Sequence, residues 1–400
     1  MPAEAPGVRL PSPTMVLLAM VTVAVNLRTL MASLPPLVKT IGADLGLSSF
    51  AIGVLTTLPV LCMGLFAPVA HALSRRIGAP ASVGLAMLAL LAGTLLRGLG
   101  SLVWPLYVGT FAGGVGIAIA GTLLPGLVKQ LFPAHRAGLA TGITMAGMMG
   151  GAALASAVSV PLEARLGSWE AALASWAVLA VAGLAGWLPL VRRVHGASAH
   201  LVLEEEADHA LPVGHLTAWL LTGYLASQSV QFYSSLAWLA PTYVAEGWAP
   251  SAAGYLLSAF TAAQVVSGLL GPALADRVRD LRRLLVPVAL TALCGQMGLW
   301  LAPQAVPWLW AGLLGFGQGA SFSLGLVLLI RYAGSASASA RLSAMALGIS
   351  YTLASAGPAA TGAIRDVSGG FGAVWLSLAG VLLLQLALAT LLHPRREHIR

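Results

Sequence analysis

The sequence predicts an all-α integral membrane protein, twelve transmembrane helices arranged as two pseudo-symmetric halves of six. Three observations carry that expectation. The 400 residues are 58% hydrophobic and only 8% charged, against about 25% charged in an ordinary soluble domain. Folded in water, such a chain would expose far too much apolar surface, so its solvent is lipid. Apolar stretches of about 20 residues recur from end to end, each long enough to cross roughly 30 Å of hydrocarbon. The chain also repeats itself. At an offset of 201, Gly46, Gly53, Leu73 and Arg76 match Gly247, Gly254, Leu274 and Arg277, and Gly114 and Gly116 match Gly315 and Gly317. One register shared by two separate stretches points to duplication rather than chance.

The spans follow in order. The first, 14–37, is apolar except for Asn26 and Arg28. The second, 49–72, holds Cys62 and gives way to Arg75 and Arg76. The third, 81–99, ends around Arg97. The fourth, 104–128, carries the Gly113-Gly114-Gly116 run and stops at Lys129. The fifth, 138–162, holds Thr141 and Met145, and the sixth, 169–191, is closed by Arg192 and Arg193. The segment 192–214 then breaks the apolar pattern with Glu204, Glu205, Glu206 and Asp208, and reads as a solvated cytoplasmic linker. The halves are therefore 1–191 and 215–400. The seventh span, 215–240, is rich in amides and aromatics. The eighth, 251–275, holds Gln264; the ninth, 283–302, Cys294 and Gln296; the tenth, 307–331, Gln318 within the Gly315-Gly317-Gly319 run. Tyr351 lies in the eleventh, 342–365, and the twelfth is 372–392. Frequent Gly and Pro are tolerated in such helices. The glycine runs read as sites of close helix contact, since no strand precedes them and no Lys-Ser/Thr follows, as phosphate binding would require.

The formal charge of +8 reflects topology rather than a nucleic-acid partner. With the N-terminus cytoplasmic, sixteen of the 21 Lys and Arg fall on inside segments and four, Lys39, Arg97, Arg165 and Arg365, at outside ends, with Arg28 inside a span. That bias places both termini in the cytoplasm. The N-terminal residues have no cleavage-site pattern ahead of a full-length span, so no signal peptide is expected. Cys62 and Cys294 read as buried free thiols with no metal-site spacing. No cofactor is expected.

A parallel six-helix repeat with its site between the halves is the pattern of the major facilitator fold. Gly271-Pro-Ala-Leu-Ala-Asp276-Arg277, followed by Arg282-Arg283, resembles the signature loop of the major facilitator superfamily. The resemblance implies a cytoplasmic latch at Gly271, Asp276 and Arg277. The first half departs from it, with Ala70 and Arg75 in place of the Gly and Asp. Four further places resemble the cyanate permease and 2-nitroimidazole transporter family: Asn26-Leu27-Arg28 with Ser33 to Leu37; Gln228-Ser229 with Phe232-Tyr233 and Ala237-Trp238-Leu239; Gly254 to Leu257 with Gln264; and Gly315 to Gly319. Ala240 intervenes where that family usually follows Trp-Leu with Pro. The resemblance implies cyanate- or nitroimidazole-like solutes.

All thirteen acids and all eight histidines fall in loops or at helix ends, so no mid-membrane carboxylate or imidazole is placed to relay protons. Arg28 is then the only charge near the midplane. A lone guanidinium there costs roughly 2.5–3.5 kcal/mol on insertion scales, and it suits an anion or strongly polarised group that it can hold bidentately. The alternative is that it bonds helix carbonyls and staples the halves. Asn26 sits about 200° around the helix from Arg28, which suits packing or an interhelical bond. Pairing Pro36 with Pro241 sets Gln231 and Tyr233 opposite Asn26 and Arg28. Gln228, Gln231 and Ser235 share a face, and Phe232 and Trp238 add aromatic surface on which a planar solute could stack. Gln264, Gln318, Thr141, Met145 and Tyr351 are candidate cavity residues on other spans. Arg97 and Arg365 read as snorkelling side chains.

No Ser/His/Asp or Cys/His set lies on facing positions, which argues against an enzyme. The expected function is transport of a small anion or small polar planar solute by alternating access around Arg28, by a monomer in a bacterial inner membrane. A multidrug exporter is the competing reading, although its fifth-span signature is absent: Gly147-Met148-Met149-Gly150-Gly151 lacks the Pro. A non-transporting membrane sensor is a third.

Overall fold

The computed structural model describes residues 12–99, 102–194, 211–275, 277–394 and 399. Among them there are fifteen α-helices and no strand: α1 (Pro13–Ala32), α2 (Val38–Leu45), α3 (Ser49–Leu65), α4 (Ala67–Ile77), α5 (Ala79–Leu96), α6 (Val103–Leu131), α7 (Ala134–Leu166), α8 (Trp169–Ser175), α9 (Ala177–Val194), α10 (Leu216–Ala245), α11 (Pro250–Ala275), α12 (Arg282–Leu301), α13 (Pro307–Arg331), α14 (Ala336–Ser368) and α15 (Gly372–Leu391). Every expected span coincides with one of these helices or with two consecutive ones. Among the described residues nine stretches are long and apolar enough to cross a membrane, and ten with the bent pair α3–α4 taken as one. α10 and α14, at 30 and 33 residues, are long enough but less apolar. They also pack on one another, where their polar side chains face protein instead of lipid.

Three spans are broken, each for a local reason. Pro35 and Pro36 lack the N–H groups that would serve the carbonyls of Met31 and Ala32. α1 therefore stops at Ala32, and the chain passes through a 3-10 turn, Pro35–Leu37, into α2. α3 and α4 meet at 55° just before Pro68, whose missing N–H falls in the first turn of α4. The sixth span is divided at Trp176, which caps α8.

The repeat is visible in the backbone. Gly46 and Gly247, matched at the offset of 201, both have positive φ, at 64° and 91°, a conformation costly for other residues. The halves meet along two interfaces, α3 against α14 and α7 against α11, and matched glycines set both. A Cβ on Gly53 would lie within 3 Å of the Pro358 carbonyl, and one on Gly254 would lie 2.5 Å from the Ser156 carbonyl. Backbone on the opposing helix cannot retreat cheaply, and overpacking of this kind costs about 1–3 kcal/mol. Gly254→Ala is expected to lower the thermal midpoint of the purified protein by several degrees. Gly150→Ala, with nothing within 4 Å of its Cβ, should leave the midpoint unchanged or raised.

The ends of α13 and α15 lie together at one end of the bundle, here the near end: Tyr332, just after α13, donates to the His393 carbonyl at 3.0 Å. From the depth of Arg28 to the far end the halves are closed against one another. On the α7–α11 side, at about the level of Arg28, Ser258 Oγ donates to the Ala153 carbonyl at 2.8 Å. Residues 195–210 of the linker lie outside the described residues. Cys62 is buried as expected, but Cys294 is exposed, because its side of α12 is not packed against another helix.

Candidate substrate site

Arg28 is buried, at 8% exposure, four residues before the end of α1. Its Nη1 donates to the Tyr233 hydroxyl across the two halves, at 3.2 Å, and approaches Met31 Sδ at 3.8 Å. The guanidinium carbon lies 5.1 Å from the Phe232 ring centroid and 5.5 Å from that of Tyr233, within the range of cation–π attraction. The Tyr233 hydroxyl in turn donates to Met63 Sδ at 3.6 Å, and the Tyr351 ring meets Tyr233 edge-on at 6.3 Å. Four helices from both halves, α1, α3, α10 and α14, thus enclose the cation. Among the described residues no acid pairs with it, and its Nε and Nη2 take no protein partner. That side of a guanidinium is a two-donor edge suited to an anion or a polarised planar group.

The pairing of Pro36 with Pro241 has a physical counterpart here. Asn26 Nδ2 donates to the carbonyls of Thr22, at 2.7 Å, and of Leu179 on α9, at 2.9 Å. Gln231 Nε2 donates to the Leu378 carbonyl on α15 at 2.7 Å. Each amide ties the first helix of its half to the last helix of the same half. Two residues on, half a turn around, Arg28 and Tyr233 face each other between the halves. Asn26 and Gln231 are therefore turned away from the guanidinium and spend their donors on packing.

The other candidates are dispersed. Gln228 Nε2 donates to the Gln318 carbonyl at 3.2 Å, and Gln318 Nε2 to Ser235 Oγ at 3.2 Å. The shared face of Gln228, Gln231 and Ser235 thus looks into the C-terminal half, against α13 and α15. Gln264 is buried on α11, with its Nε2 unpaired. Trp238 lies at the far end, where its Nε1 donates to the Pro358 carbonyl at 3.1 Å. There it lines a cavity of about 300 Å³ with Lys39, Ser49, Arg365 and Phe371. Thr141 and Met145 line a separate apolar cleft with Leu27, Leu124 and Met148. The structure brings Arg28, Tyr233 and Tyr351 together and holds the rest apart.

Of the expected latch, Asp276 lies outside the described residues, and Arg277 is exposed. Gly271 packs closely on α13, where a Cβ would meet Ser323 Oγ at 2.6 Å. Arg331, at the end of α13, reaches back to this loop and donates to the carbonyls of Ala275 and of Val278, the latter at 2.9 Å. It satisfies carbonyls freed where α11 ends. Beside it Asp280 pairs with Arg282 at 2.7 Å, and hydrogen bonds from Arg282 hold the Asp280 carboxyl below the usual carboxylate range.

Arg97 does not snorkel. It is 2% exposed, and its Nη1 donates to the Leu30 carbonyl at 2.9 Å. That carbonyl is free because the chain leaves the helix after Ala32, ahead of the two prolines. Met63 and Met31 were missed in the sequence, and Arg97 was seen but given the wrong direction. A methionine in an apolar span carries no local signal, and an arginine at a helix end looks the same whether it turns to water or inward to a broken helix.

The profile of the Major Facilitator Superfamily matches residues 16–351. The chain belongs to the Major Facilitator Superfamily. Similar curated members are transporters, not enzymes. They include the uncharacterized transporter YycB of Bacillus subtilis (strain 168), 34% identical over 86% of this chain and 85% of that one. The 2-nitroimidazole transporter of Escherichia coli (strain K12) is 34% identical, over 92% and 91%. The cyanate transport protein CynX of the same organism is 31% identical, over 95% and 98%. Among solved structures, the superfamily fold is shared with the nucleoside transporter NupG, at a TM-score of 0.73 and 12% identity over 94% of this chain and 99% of that one. A bacterial homolog of the human lysosomal transporter Spinster, in an inward-facing and occupied conformation, matches at 0.71 and 16% identity, over 96% and 97%. The chain is thus a multi-pass membrane transporter of the superfamily.

Proposed function

We propose that this transporter moves a small anion or small polar planar solute by alternating access, with Arg28 as the cation that binds it. The observation that carries the reading is the guanidinium itself. It is buried between the halves and lies against the rings of Phe232 and Tyr233. It is held on one side by the Tyr233 hydroxyl and faces no acid among the described residues. A buried charge without a counter-ion is unfavourable, and an anionic cargo supplies the compensation. The rings on one side suit a flat solute. The relatives named for cyanate and for 2-nitroimidazole support this size and shape. The protein acts as a monomer in a bacterial inner membrane with both termini cytoplasmic, so that the far end faces outward.

Counterflow in proteoliposomes tests this. A panel of cyanate and other small linear anions, a nitroimidazole and an amphipathic cation should separate cleanly. Exchange is expected with members of the first two groups. Exchange of the cation alone would replace this reading with that of a multidrug exporter.

A further inference from the structure

On the α3–α14 side, beside the close glycine packing, one carboxylate bonds across the far end. Of the four N–H groups that open α3, Ile52 N bonds the Ser48 carbonyl at 3.0 Å and Ala51 N bonds Ser48 Oγ at 3.2 Å. The remaining two, Ser49 N and Phe50 N, have no partner in their own half. They donate to Asp366 Oδ1 at 3.1 Å and Oδ2 at 2.8 Å, in the last turn of α14 in the opposite half. A helix N-terminus carries partial positive charge, and both bonds are charge-assisted. Arg365 lies 3.6 Å from Asp366 Oδ1, too far for a hydrogen bond.

We infer that Asp366 is the positioning residue that holds the far gate shut, by capping a helix of the other half. The inference rests on the alternating-access reading but not on what Arg28 binds. Opening the far end must pull α3 from α14 and give both N–H groups and the carboxylate back to water. Among the described residues the opposite side of the gate has no such lock. At the repeat offset, Asp366 corresponds to Arg165 and Ser49 to Pro250. A cation cannot cap a helix N-terminus, and a proline offers no N–H. The gate is therefore chemically one-sided, with its charge-dependent bond on α3–α14 and close backbone packing on α7–α11.

The test is a distance measurement across the far end of the full chain in lipid. Spin labels are carried on Thr40→Cys and Ala249→Cys, both exposed on opposite halves, with Cys62→Ser and Cys294→Ser in the background. Asp366→Ala is expected to raise the ratio of open to closed far end about tenfold. Asp366→Asn, which keeps the volume and one good acceptor, should give a smaller rise, and it serves if the alanine variant folds poorly. Arg365→Gln should leave the ratio near that of the parent. An unchanged distribution in Asp366→Ala, or a full shift in Arg365→Gln, would overturn the assignment. In an Arg28→Ala background the Asp366→Ala shift should persist, so failure of the anion reading and failure of this one give different results.

Discussion

Arg28→Ala is expected to abolish transport, lowering uptake at least about 100-fold, while the protein still inserts and folds. The fold survives because Arg28 gives α1 little. Its one hydrogen bond to oxygen goes to Tyr233, and truncation removes a desolvated charge instead of stranding one. The transport loss is large because hydrogen bonds to charged groups are each worth about 1.5–3 kcal/mol, and the free Nε–Nη2 edge offers two. Arg28→Lys keeps the charge but loses the planar fork, and it should fall at least about tenfold. Initial uptake rates in proteoliposomes, normalised to folded protein by size-exclusion chromatography, check both. Near-normal uptake by Arg28→Ala would leave the guanidinium as a mere staple between the halves.

Tyr233→Phe comes next in expected effect. The hydroxyl accepts from Arg28 and donates to Met63, so its loss frees the guanidinium to swing while the ring stays against it. The expected result is a rise in KM of about tenfold, matching the loss of one charge-assisted hydrogen bond, with the maximal rate changed less. Tyr233→Ala also removes the aromatic face and the contact with Tyr351, and should cost more in both quantities. Kinetics of the two variants side by side separate orientation from stacking. Equal KM for Tyr233→Phe and the parent would place the hydroxyl outside the binding step.

Much of this was legible in the sequence, for identifiable reasons. Lipid imposes apolar runs of fixed length, so each expected span could be placed on one helix or two consecutive ones. Duplication left Gly53 and Gly254 at matched positions because both hold backbones in contact. Arg28 stood out because charge inside a span is rare. The seventh span shows where legibility stops. Its amides look like ligands, yet Gln231 and Gln228 bond carbonyls of α15 and α13, since a membrane core asks polar side chains to satisfy one another. Direction around a helix depends on which neighbour it meets, and residue types alone do not specify that. Arg97 was misread for the same reason: the carbonyl it serves belongs to a break in another helix. Asp366 passed for an ordinary loop or helix-end acid because its partners are backbone N–H groups of the opposite half, which no side-chain pattern encodes.

The central claim is that Arg28 takes its counter-ion from the cargo. The most direct measurement is titration calorimetry of the purified protein with the anion that counterflow selects, run in parallel on the parent chain and Arg28→Ala. Saturable binding by the parent and none by Arg28→Ala, with both proteins folded, is the predicted result. Equal affinity in the two would contradict it.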